Sequence, residues 1–266
     1  MMSIRLKVFF AAFLMSGILA SVSLKAEESV PEKLGLFSAI EQGKVEVKVV
    51  AKNSLQSKLI VTNKTKTPLR VDLPSSFALV PVLAQDFMGG SGGVSGTSSR
   101  SSTSRSSTSS SGSQSTGSGY GSSSGNRSSS GSNNWSLLPE KTIQETVRTV
   151  CLEHGKKEPS PRTHYAIRPI TDVTDNRAVH LLCEKVGVGE VDQNSAQAAV
   201  WHLNSEVSWE ELAAKFKKTA YGGKIVSYFN RDQMNEAIRL AEKAVGTIEE
   251  EERAMAGTEA GPSLAN

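Results

Sequence analysis

TIQETVRTVCL, residues 142–152, is the stretch on which the fold turns. Ile143, Val147 and Cys151 fall on one face, and Gln144, Thr146 and Arg148 on the other. That is the two-residue period of a half-buried strand. Leu138-Pro139-Glu140-Lys141 before it is turn-like. Upstream lies Gly89–Asn134, almost nothing but Ser and Gly with a few Thr and Arg. A tract with so few apolar side chains cannot offset the entropy of ordering its backbone, so it is expected to be disordered. The strand at 142–152 then needs partners from elsewhere in the chain.

Leu34–Leu83 supplies them. Val45, Val47 and Val49 alternate with Lys44, Glu46 and Lys48, and short runs follow at Lys58–Thr62, Leu69–Leu73 and Phe77–Leu83. Asn63–Pro68 (NKTKTP) is a turn cluster between two of them. Roughly four strands leave a sheet with one bare face, which needs a second layer. The expectation is a small antiparallel β-sandwich interrupted by a long disordered Ser/Gly-rich loop. Closure entropy grows only logarithmically with loop length, so such an insertion is physically acceptable. A linker between two independent domains is the competing reading.

Beyond a short run at Tyr165–Ile170 the period becomes helical. Asp175–Val186 reads as a helix ending at Gly187. Gln193–Asn204 is a second, with Ala196, Ala199, Val200 and Leu203 as its apolar stripe. Ser208-Trp209-Glu210-Glu211 is a capping box that starts a third, and Asn230-Arg231-Asp232-Gln233 starts a fourth. In that fourth helix Met234, Ala237, Ile238, Ala241, Val245 and Ile248 recur at helical spacing, while Glu249–Glu252 and the tail are expected to fray. Strands first and helices last make the fold class α+β. The expected organisation is a signal peptide (1–26), a β-rich first part (27–88) and a disordered insert (89–134). The remaining β part (135–170), a helical segment (171–256) and a disordered tail (257–266) follow.

Residues 1–26 open with Arg5 and Lys7, continue through the apolar run Val8–Leu19, and end in small residues and Ala26. This is the pattern of a secretory signal peptide. The run is shorter than the roughly 20 apolar residues of a membrane span, and no second stretch approaches that length. Export followed by cleavage after Ala26 or Ser23 is the expectation, leaving a secreted, periplasmic or cell-surface protein with no membrane span; a retained anchor is the alternative. The chain has 266 residues and a formal charge of +3, too small and too evenly spread to point to nucleic acid. The dipeptides Ser99-Arg100 and Ser104-Arg105 read as solvated linker.

Two cysteines follow the signal segment. In an oxidising compartment Cys151 and Cys183 form a possible disulfide, worth roughly 3–4 kcal/mol for a loop of that size. A plain buried thiol at Cys183, inside a mainly apolar helix, is the alternative. Cys151, His154, His180 and Cys183 also form a mirrored C-x2-H … H-x2-C pair with the donor set of a tetrahedral zinc site. That order is not one of the familiar finger or ribbon spacings.

Val150-Cys151-Leu152-Glu153 and Ala196-Gln197-Ala198-Ala199-Val200-Trp201 together resemble the two signatures of bacterial thioester domains. The resemblance covers about ten residues, and Ala196 stands where that family has Thr. It implies that the Cys151 sulfur displaces ammonia from the Gln197 amide, with Trp201 one turn along packing over the bond. The resulting internal thioester would acylate an amine on another surface. Helical periodicity offers a plainer account, in which Gln197 and Trp201 decorate an amphipathic helix packed through its Ala residues.

Other motifs carry no chemistry. Two G-x-S-x-G matches, Gly89–Gly93 and Gly121–Gly125, lie in the tract without the flanking strand and helix that a nucleophile elbow needs. Glu210/Glu211 and Glu249–Glu252 read as helix-start and solvated charges. Asn63, Asn126 and Asn134 begin sequons that matter only in a glycosylating host. The expected function is therefore non-enzymatic: binding to an unknown protein or envelope component, without a cofactor. The β edges and the Trp201/Trp209 region are the expected contact surface. The Cys151–Gln197 thioester and a metal-binding domain are the alternatives.

Overall fold

The Val/charge alternation at residues 45–51 does form a strand, and the segment carrying Cys151 joins the same sheet. The computed structural model describes residues 31–82, 112–120, 134–219 and 223–259. The expected signal peptide, tract residues 89–111 and 121–133, and tail residues 260–266 lie outside the described residues. The first half runs β1 (Glu32–Gly35), α1 (Leu36–Glu41), β2 (Val45–Ala51), β3 (Gln56–Asn63), β4 (Leu69–Asp72) and β5 (Ser76–Pro81). Next come β6 (Thr116–Gly119), β7 (Asn134–Leu137), β8 (Thr142–Arg148), β9 (Val150–Cys151) and β10 (Tyr165–Pro169). The remainder is α2 (Arg177–Val188), α3 (Gln193–Ser205), α4 (Trp209–Ala213), β11 (Phe216–Lys218), β12 (Ile225–Ser227) and α5 (Arg231–Glu259). The fold is α+β.

A seven-stranded sheet has the order β8-β3-β2-β10-β5-β6-β9, with every neighbour antiparallel. A three-stranded sheet, β1-β4-β7, packs against part of it. Strand β8 runs along β3 from Thr142 opposite Thr62 to Arg148 opposite Gln56. Segments on both sides of the Ser/Gly tract therefore share one sheet. Leu59, Val61, Leu69, Val71 and Leu137 bury themselves between the two sheets. A second core lies between the β5-β6-β9 end and the helices, where Val150, Leu152, Val179, Val186, Ala199 and Leu212 are buried. Two layers on different parts of one sheet resolve the bare-face problem.

The tract is not wholly without structure. Thr116–Gly119 (TGSG) is a fully buried strand hydrogen-bonded between β5 and β9. This corrects the expectation of one uninterrupted disordered insert. Its contribution is thinness. A Cβ on Gly117 would stand 2.3 Å from the Cys183 Sγ, and one on Gly119 would stand 2.2 Å from the Ser75 oxygen and 2.6 Å from the Glu184 Cα. Helix α2 thus packs directly on strand backbone, and the apolar burial that stabilises β6 comes from its neighbours. Tyr120 closes the strand, stacked on Phe77 at 5.4 Å and edge-on to Trp135 at 5.8 Å.

Helix boundaries follow local chemistry. The Asn176 side chain accepts from the Ala178 and Val179 amides, so α2 begins at Arg177. Gly187 does not end it. That glycine is internal and packed on Gly119, and Gly189 at φ 81° makes the left-handed stop instead. Ser208 caps α4 as expected, accepting from the Glu211 amide. Asn230 and Gln233 cap α5 reciprocally, at 2.8 and 3.0 Å. Helix α5 continues through Glu249–Glu252 instead of fraying there, with Arg177 paired to Glu251 and Glu252. Leu36–Glu41, read as part of a β region, is helical because Leu36 and Ala39 bury one face of a short turn. Among the described residues no helix is long and apolar enough to cross a membrane.

Candidate functional site

Strand β9 is two residues long and ends the seven-stranded sheet, so one side of its backbone has no strand partner. Buried main-chain groups left unpaired cost about 1–3 kcal/mol each. Helix α3 supplies what is missing. The Gln197 Nε2 donates to the Cys151 carbonyl at 2.8 Å, and its Oε1 accepts from the Cys151 amide at 2.7 Å. A primary amide has both a donor and an acceptor, so Gln197 acts as a one-residue strand. Gln193 Nε2 donates to the Leu55 and Thr149 carbonyls, both at 2.6 Å. Asn204 donates to the Leu152 carbonyl at 2.7 Å, and Ser205 Oγ accepts from the His154 amide at 3.1 Å. Residues 193, 197 and 204 recur near helical spacing, so one helix face latches the whole edge.

The structure thus brings Cys151 and Gln197 together, although 46 positions separate them. The contact is through the Cys151 main chain. Both residues are buried, and burial pushes the Cys151 thiol well above the ordinary cysteine range, with Glu158 and Glu153 adding to the shift. Tyr165 lies nearby and is pushed up to about 12, mainly by burial, while its hydroxyl donates to the Gln114 carbonyl at 3.1 Å. The tyrosine and the thiol both keep their protons near neutral pH.

Below this edge sits an aromatic cluster. Trp201 packs on His154, Tyr228 and Phe229 at centroid distances of 4.8, 5.7 and 6.0 Å. Lys215 Nζ lies 5.3 Å from the Trp201 ring and donates to His154 Nε2 at 2.9 Å. Burial and the Lys215 charge hold His154 below its ordinary pKa, in keeping with an Nε2 that accepts. Trp201 is 4% exposed, so the expected Trp201/Trp209 contact surface is corrected: Trp201 is interior, and Trp209 is half-buried and stacked on His202 at 4.0 Å.

The possible disulfide is not made, and the alternative of a plain buried thiol at Cys183 holds. Cys151 and Cys183 are both free and buried. Successive strand residues face opposite ways, and Cys183 lies against Gly117, whose cross-strand partner is Val150. Cys151, paired with Thr116, therefore faces away from Cys183. The zinc set is not gathered either. His180 Nε2 donates to the Thr174 carbonyl at 2.8 Å and His154 is engaged with Lys215. Among the described residues no three His, Cys, Asp or Glu side chains cluster to hold a metal ion.

One feature went unread in the sequence. Strands β11 and β12 form a separate two-stranded ribbon on which Phe216 is 63% and Ile225 67% exposed. Lys217, Lys218 and Lys224 are exposed alongside them. The available signal was Gly222-Gly223, a hairpin dipeptide flanked by Lys/apolar runs. No family model, curated protein or solved structure matches the chain.

Proposed function

We propose that the chain is an exported, non-enzymatic binding protein held at the cell envelope, with the β11–β12 ribbon as its contact surface. The observation that carries this reading is the ribbon. It leaves Phe216 and Ile225 in water and concentrates lysines without a single acidic residue between Leu212 and Asp232. The interior groups with chemical potential are otherwise engaged: Gln197 on the Cys151 backbone, His154 on Lys215, and the Cys151 thiol held protonated. Export rests on the signal-peptide pattern of residues 1–26. The test is fractionation of cells producing the full chain. Wild type should stay with the envelope after soluble contents are released, and the double variant F216S/I225S should appear in the soluble fraction. Retention in the cytoplasm, or equal envelope retention of both proteins, overturns the reading.

The Cys151–Gln197 contact favours a second reading, the internal thioester. In that reaction Sγ bonds to the Gln197 carbonyl carbon, the C–N bond breaks, and ammonia leaves with the thiol proton. It would require the amide to abandon both hydrogen bonds to Cys151. Intact mass of the mature protein decides the matter. A thioester lowers the mass by one ammonia and adds methylamine at Gln197, whereas an unreactive full-mass chain removes this reading.

A further inference from the structure

The ribbon is amphipathic in a way that selects among partners. Cross-strand pairs share a face, so Phe216 and Ser227 lie on the same side as Lys218 and Ile225. The opposite side carries Lys217, whose Nζ sits 4.9 Å from the Tyr228 ring. Lys215 ties the base of the ribbon to Trp201 and His154, and the Tyr228 amide donates to the Lys215 carbonyl at 2.7 Å. One face is therefore anchored to the protein body while Phe216 and Ile225 project from the other.

The strands are three residues each, too short to capture a peptide by main-chain hydrogen bonding. An apolar pair with Lys218 on its own face and Lys224 next to Ile225 in the chain needs a partner that is apolar at depth and anionic at its surface. A lipid bilayer with anionic headgroups has that profile. Phenylalanine and isoleucine enter the acyl boundary, and lysine stems lie along apolar surface while their ammonium groups stay at headgroup level. We propose that the β11–β12 ribbon docks this protein on anionic membrane surfaces. The proposal deepens the envelope-binding reading and rests on it.

The test uses the chain from Glu27 onward, which retains the whole compact unit Pro31–Asn266. The probes are sedimenting vesicles of phosphatidylglycerol with phosphatidylcholine, and of phosphatidylcholine alone. Wild type should bind the anionic vesicles, bind the neutral ones far less, and be released by about 0.5 M salt. F216S/I225S and K218Q/K224Q should each lower partition at least about tenfold, with thermal midpoints unchanged. Absence of wild-type binding to anionic vesicles overturns the proposal, as does binding that either variant leaves unaltered. If vesicle binding fails while cellular envelope retention still depends on Phe216 and Ile225, only the lipid is wrong and a protein or polymer takes its place. If retention is also indifferent to the ribbon, the envelope reading falls with it.

Discussion

Strand β9 and the β11–β12 ribbon are both two- or three-residue strands at a margin of the fold, and the protein treats them in opposite ways. Around β9 every main-chain group of Cys151 is paired, with Gln197 completing the work of a missing strand. The ribbon keeps Phe216 and Ile225 in water, with Lys218 beside them on the same face. An edge sealed by its own helix is architecture. A bare apolar edge flanked by charge is the surface proposed here to meet a partner.

The contrast can be broken first at Gln197. Q197A strands a buried amide and carbonyl and should lower unfolding free energy by about 3 kcal/mol, read from the denaturant midpoint. A loss below about 1 kcal/mol would mean that the latch is dispensable. Next comes the support beneath it. A Cβ on Gly187 would meet the Gly119 oxygen at 2.0 Å, backbone against backbone, so G187A should cost about 2 kcal/mol by thermal unfolding. A neutral outcome would show that α2 stands off the strand.

His154 gives a smaller, pH-dependent effect. Its folded pKa is lowered from 6.5, so the unfolded chain takes up the proton first as pH falls. Stability tied to this group is complete above about pH 6.5 and is lost below it, toward the folded value. The thermal midpoint should therefore drop between pH 7.5 and 5.5, and H154Q should drop less; equal slopes would refute the assignment. The smallest effect belongs to the ribbon, where F216S/I225S should alter stability by less than about 0.5 kcal/mol. Anything larger would make the ribbon part of the core and erase the contrast.

Much of the fold was legible. Val45, Val47 and Val49 announce a strand because bulky side chains at period two must share a buried face, and Asn230 with Gln233 announces a helix start through local hydrogen bonds. Thr116–Gly119 escaped notice because its fitness lies in what it lacks. No pattern of Ser and Gly reveals that a helix will press against it. Gly187 misled for the same reason, reading as a helix stop when it is a contact point. The resemblance named Cys151 and Gln197 as neighbours, yet the bonds that join them use the Cys151 backbone, which the residue type does not encode. The ribbon's three-residue strands are too short to show a period.

From its sequence alone, this chain's strand and helix periods and its α+β order could be derived, since each depends on residues near one another. Which edge needed sealing, which thiols faced apart, and which lysines were left in water depended on how β6 and β9 met α2 and α3. Those outcomes belong to tertiary structure, because they are set by close approach between segments that no local pattern links.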